Sequence, residues 1–290
     1  AGGASGVVTI SSAASTANIY FSQEEAESFT LTATSSISGS GTQAAIVIAA
    51  TPNTLQITST AQSVVAGSCS GATVVTAKDQ YGNAGVIAAG MSVALANNQS
   101  TTFYDTSGCG GSAVTSIPIS AGAGTATFYF KQTAIGTPTL TASGLTNDGT
   151  QVETITSATA TQLAVTSAAQ NSIVAGTCSS VITVEARDLY SNAISTGQGS
   201  ITVNLSSNSA GSPTFYSAGD SSCSGATTTT ATIAANGNTT TLYMKDTLTG
   251  THTIALAATS LTSATQDNTV IAAAPNDLEI KTWTSTVTTD

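Results

Sequence analysis

Apolar and polar residues alternate with a period of two along most of this chain. Leu55 and Ile57 mark the pattern in LQITST (Leu55–Thr60), and Val93 and Leu95 mark it in MSVALAN (Met91–Asn97). Phe128 and Phe130 do so in GTATFYFK (Gly124–Lys131), with Tyr129 on the opposite face. Similar runs are ATVVTAKD from Ala72, TTFYD from Thr101, AVTSIPIS from Ala113, TPTLTAS from Thr137 and TQVETITS from Thr150. In the last of these, Val152, Thr154 and Thr156 lie on one face and Glu153 and Ile155 on the other. Gly, Asn, Asp and Ser clusters bound each run and no helical stripe interrupts them, so the pattern predicts half-buried antiparallel strands.

The series then repeats. TPNTLQITSTAQSVVAGSC, from Thr51, returns as ATQLAVTSAAQNSIVAGTC, from Ala160, about 110 residues on. PNDLEI at Pro275 opens a third copy, matching PNTLQI at Pro52. ANIYFSQ (Ala17–Gln23) matches ATFYFKQ (Ala126–Gln132), which lies late in a repeat. Seven or eight short strands per repeat predict a two-sheet sandwich of immunoglobulin type. The fold class is therefore all-β: tandem immunoglobulin-like antiparallel β-sandwiches with an incomplete N-terminal sandwich and a single C-terminal strand. Residues 1–50 form the half-domain, with late strands only (GVVTIS, ANIYFS, SFTLTAT and QAAIVIAA). Residues 51–158 and 159–274 are the two whole domains, and 275–290 is the lone strand.

One motif is more specific than the alternation. VTAKDQYGNA (Val75–Ala84) and VEARDLYSNA (Val184–Ala193) share the form V-x-A-K/R-D-x-Y-G/S-N-A. Together with the repeat, it resembles the bacterial immunoglobulin-like domains of the invasin and intimin type, and more loosely filamin repeats. The resemblance implies surface-displayed sandwiches strung into rods, for adhesion or as filament bodies. Two departures are Ala84 and Ala193 where the family has Pro, and the lack of a lectin-like domain after the repeats. Asp79 and Asp188 are expected to cap the turn and Gly82 and Ser191 to occupy it, while Asn83 and Asn192 tolerate a left-handed conformation. Two oxygen ligands alone are too few for calcium.

Four cysteines fall two to a repeat, which makes Cys69–Cys109 and Cys178–Cys223 the economical pairing of the three possible. Metal binding is the weaker reading, because no His or CxxC spacing accompanies them. Disulfides place the chain outside the cytoplasm, at the cell surface, exported by a signal peptide that this sequence does not include. Only 7% of residues are charged, at a net −10, which argues against nucleic acid. No apolar stretch approaches the roughly 20 residues of a membrane helix.

Catalytic groups are scarce. His252 is the only histidine and stands where the other repeat has Pro138, so Ser–His and Cys–His pairs cannot be assembled. Glu24, Glu25 and Glu27 share one loop and read as a solvated tip. No enzyme, cofactor or metal is expected.

The ends carry the functional expectation. A half-sandwich leaves an apolar face and an open edge at Ile19, Phe21, Phe29 and Leu31. The C-terminal strand offers Leu278, Ile280, Trp283 and Val287 with nothing of its own to pair with. Identical subunits are then expected to polymerise head to tail, each donating its last strand to the next half-domain. The alternative is a segment of a long multi-repeat adhesin that acts as a rod or binds cell-surface ligands.

Overall fold

The computed structural model describes residues 5–35, 37, 39–194 and 197–275. The expected donor strand, with Leu278, Ile280, Trp283 and Val287, lies outside them. Strands β1 (Ser28–Thr34) and β2 (Ser40–Ile46) form an antiparallel hairpin, with Ser28 opposite Ile46 and Thr34 opposite Ser40.

The first whole repeat supplies β3 (Thr54–Ile57), β4 (Ser63–Val65), β5 (Thr73–Lys78), β6 (Met91–Asn97) and β7 (Thr102–Tyr104). It continues with β8 (Ser116–Ile119), β9 (Thr125–Lys131), β10 (Thr139–Ser143), β11 (Gly149–Val152) and β12 (Thr154–Thr156). One sheet has the order β3-β5-β9-β7, the other β11-β10-β6-β8, and β4 pairs with β12 in parallel. The inward rows, Leu55, Val75, Val93, Ile117, Ile119, Phe128, Phe130 and Leu140, are all buried, each such large side chain stabilising by about 1.5–3 kcal/mol. Phe103 meets Phe128 edge to face at 5.6 Å.

These pairings explain a departure in residues 1–50, where four strands were expected and, among the described residues, two form. The runs at Val7–Ile10 and Ile19–Phe21 match β8 and β9. In the whole repeat β8 pairs with β6, and β9 pairs with β5; β7 is its other neighbour in the sheet. Residues 1–50 contain no counterpart of β5, β6 or β7, so these runs have no ladder to join. β10 and β11 pair with each other, and their counterparts β1 and β2 form.

A second departure is at Glu153, which splits the expected strand TQVETITS into β11 and β12. Its side chain turns inward, fully buried, and accepts hydrogen bonds from the Gln62 backbone and from Gln151 Nε2 at 2.7 Å. Asn268 holds the matching place in the next repeat and accepts from the Gln170 amide at 2.9 Å.

The second repeat supplies β13 (Gln162–Val165), β14 (Ile173–Val174), β15 (Ile182–Arg187), β16 (Ile201–Ser207) and β17 (Thr214–Ser217). The rest are β18 (Thr227–Thr228), β19 (Thr230–Ile233), β20 (Thr239–Lys245), β21 (Gly250–Ala257) and β22 (Ala264–Ile271). Its sheets run β13-β15-β20-β17-β18 and β14-β22-β21-β16-β19, with β14 parallel to β22. Ile182, Val184, Val203, Ile233, Leu242, Met244, Ile254 and Leu256 make up the centre of its core.

By contact the chain divides into two compact units. The first takes the residues up to Gln62, then Cys69–Phe130 and Pro138–Glu153. The second takes Ser63–Ser68, Lys131–Thr137 and the chain from Thr154 on. Each cysteine pair is a disulfide within its own repeat: Cys69–Cys109 with Cα atoms 5.7 Å apart and Cys178–Cys223 at 5.4 Å.

Candidate functional site

The shared motif folds as one turn, built twice. Strand β5 ends at Lys78 and Asp79 follows, buried, with its carboxylate directed back into the turn. Asp79 Oδ1 accepts from the backbone amides of Tyr81 and Asn83, both at 2.9 Å. Its Oδ2 accepts from the Ala50 amide at 2.9 Å and from Asn83 Nδ2 at 3.0 Å. Asp188 repeats the set with Tyr190, Asn192, Ala158 and Asn192 Nδ2 at 2.9, 2.9, 3.0 and 2.9 Å. The left-handed residues are Gly82 (φ 86°) and Ser191 (φ 66°), not the asparagines that follow them. Four N–H donors on one carboxylate are the chemistry of a cap and leave no free lone pair directed at a cation.

Burial raises the Asp79 carboxyl, but the Asn83 side chain and the amides of Ala50, Asn83 and Tyr81 outweigh it and bring the pKa down to about 2. Asp188 is likewise lowered: burial works against the charge, and Asn192, Ala158 and Tyr190 outweigh it.

Each asparagine reaches further than its own turn. Asn83 Nδ2 donates to the Glu24 carbonyl at 2.7 Å, and Asn83 Oδ1 accepts from the Ala26 amide at 2.9 Å. Asn192 does the same to the Thr133 carbonyl at 2.7 Å and the Ile135 amide at 3.2 Å. Gln23-Glu24-Glu25-Ala26 aligns with Gln132-Thr133-Ala134-Ile135, so the grip has one register in both places. The glutamate loop, expected as a solvated tip, is thus held by backbone bonds at Glu24 and Ala26. Asp and Asn together clamp a loop and a linker alanine that precede the turn in the chain, a role that the motif alone did not disclose.

The second copy has one contact more. Gly67, at φ 78°, lies under the Tyr190 ring, and a Cβ on it would stand 2.0 Å from the Tyr190 hydroxyl. Gly67 belongs to the AGxC segment, which residues 1–50 lack. Tyr81 is 51% exposed and Tyr190 39%.

Of the expected assembly residues, Ile19 and Phe21 are exposed while Phe29 and Leu31 on β1 are half-buried. Phe21 and Phe29 are brought together, edge to face at 5.4 Å. Val7, Ile46 and Ile48 of the same 50 residues are also exposed. His252 braces a loop, its Nε2 3.0 Å from the Leu248 carbonyl. Among the described residues no three of His, Cys, Asp and Glu converge on a point that could hold a metal ion.

No protein-family model matches this chain, and no curated protein sequence does. Among solved structures it is similar to the Escherichia coli adhesin FdeC, at 17% identity over 78% of this chain and 66% of that one, TM-score 0.39. It is similar to domains 1–6 of the surface-layer protein SbsC, at 18% identity over 81% and 30%, TM-score 0.32. The Yersinia pseudotuberculosis adhesin InvE gives 17% over 72% and 56%, TM-score 0.28. The chain spans less than two thirds of each of these proteins.

Proposed function

We propose that this chain is a non-enzymatic extracellular structural protein whose immunoglobulin-like repeats are strung in series as part of a cell-surface rod or fibre. One observation carries the reading: the same Asp–Asn clamp, in the same register, ties a turn to the preceding loop and linker twice along the chain. A construction repeated at every link is what a string of domains requires and what an isolated binding domain does not. Two disulfides favour an oxidising compartment. No helix among the described residues is long and apolar enough to cross a membrane. Antibody raised to this chain is expected to label fibres or surface material on intact cells. Labelling that appears only after lysis would sink the reading.

The open hairpin supports a finer form of it, in which identical subunits join head to tail. In both whole repeats the counterpart of β1 carries a ladder on each side: β10 lies between β11 and β6, and β21 between β22 and β16. Among the described residues β1 has only β2, which leaves its other edge for a donated strand. The C-terminal segment around Trp283 is the donor we propose. Its opening residues match β3, whose ladder partner β5 has no counterpart in residues 1–50, so the donated strand takes the place of β6 instead. Deleting residues 276–290 is expected to leave monomers in electron micrographs, and polymers that persist would refute the donor strand while leaving the rod intact.

A further inference from the structure

Two stretches of the chain present the same three backbone groups to a clamp, and a third stretch matches them. The first set is the Glu24 carbonyl, the Ala26 amide and the Ala50 amide, all engaged by the turn at Asp79–Asn83. The second is the Thr133 carbonyl, the Ile135 amide and the Ala158 amide, engaged by the turn at Asp188–Asn192. Aligning Lys131-Gln132-Thr133 with Lys245-Asp246-Thr247, and PNTLQI with PNDLEI, gives the third: the Thr247 carbonyl, the Thr249 amide and the Ala273 amide. All three residues are exposed, and no described backbone group bonds to these atoms.

A second observation concerns the tyrosine. Gly67 receives Tyr190 from the turn that follows it, and its counterpart Gly176 has the same backbone, φ 79° against 78°. A Cβ on Gly176 would meet no described atom within 4 Å. A third observation lies at the root of the loop. Asp246 is 1% exposed and its Oδ2 has no described hydrogen-bond partner, although buried acceptors are normally satisfied.

We infer that Gly176, the loop 247–249 and Ala273 form an acceptor site for the Asp-x-Tyr-x-Asn turn of a further immunoglobulin-like repeat. Asparagine binds the Thr247 carbonyl and the Thr249 amide, aspartate takes the Ala273 amide, and tyrosine covers Gly176. In the two existing cases the aspartate follows its linker alanine by 29 and 30 residues. The inference rests on the reading of repeats in series.

The test extends the full chain by a second copy of residues 160–274 placed after Ala274, and follows amide hydrogen exchange. Thr249 and Ala273 are expected to exchange at least about tenfold more slowly than in the unextended chain. Asn192→Ala made only in the added copy should restore fast exchange at Thr249. A parallel extension with residues 52–159 brings the Asp79–Asn83 turn instead, so a folding failure of one copy does not decide the result. Protected core amides in an added copy, with Thr249 and Ala273 exchanging as before, would overturn the site. Fast exchange at Ile135 and Ala158 as well would overturn the series reading itself, which keeps the two failures apart.

Discussion

The turns at Asp79–Asn83 and Asp188–Asn192 are alike in every bond to their own backbone and differ in what they hold. The first grips a loop next to a two-stranded hairpin, and its tyrosine is about half exposed. The second grips a loop on a finished sandwich, and its tyrosine lies against Gly67. That loop is itself fixed, since the Gly67 amide bonds to the Gln132 carbonyl and Gly136 exchanges bonds with Ile155. The clamp is thus independent of the completeness of what it clamps, because it binds backbone atoms of one short loop. The tyrosine contact is not, because it needs the AGxC segment.

The strongest way to break the likeness is to remove a carboxylate. Asp188→Ala strands the amides of Tyr190, Asn192 and Ala158 and is expected to cost about 2–4 kcal/mol, read as a lower urea midpoint. Asp79→Ala is expected to lower the midpoint in its own unit by the same mechanism. If neither variant moves a midpoint, the clamp is not part of what holds the fold.

The tyrosine seat separates the copies next. Gly67→Ala and Gly176→Ala both place a side chain at positive φ, at about 1 kcal/mol each. Only the first also displaces Tyr190, and it is expected to cost about 1–3 kcal/mol beyond its partner. Equal thermal shifts in the two variants would mean that Tyr190 contributes nothing.

Acid reads the carboxylates together. Both folded values lie below the ordinary carboxylate value of 3.8, so their stabilisation is complete above that pH. For Asp79 it is lost as pH falls from about 4 through about 2. Asp79→Asn should flatten that limb of the stability curve, and an unchanged slope would count against the assigned hydrogen bonds. The smallest effect is at the left-handed position: Ser191→Gly is expected to stabilise by about 0.5–1 kcal/mol, and Gly82→Ser to destabilise by a similar amount.

The alternation of Leu55, Val93, Phe128 and their counterparts made the sandwich legible, because a period of two with regular punctuation leaves few other ways to bury those rows. The cysteines paired as their repeated landmarks suggest. The clamp was not legible, because Asn83 and Asn192 bind a carbonyl and an amide, which every residue carries. The seat at Gly67 was hidden for the opposite reason: its signal is the lack of a side chain. In residues 1–50 the apolar pattern of Ile19 and Phe21 overstated the structure, since a strand needs a neighbour as well as a pattern. At Glu153 the unbroken alternation concealed a change of partner from β10 to β4.

The parallel pairs β4–β12 and β14–β22 give each repeat a mechanical character. The second and the last strand of each repeat run side by side in one direction, so once the first strand is drawn off, a pull on the two ends loads their ladder in shear. Those bonds must then fail together rather than peel one at a time. Beyond β4 an unravelling chain soon reaches Cys69, and the bridge to Cys109 keeps the 40-residue span between them out of the extension. The same holds from Cys178 over 45 residues. Such a repeat resists tension first through hydrogen bonds in parallel, and where these give way it lengthens only by what the disulfide releases.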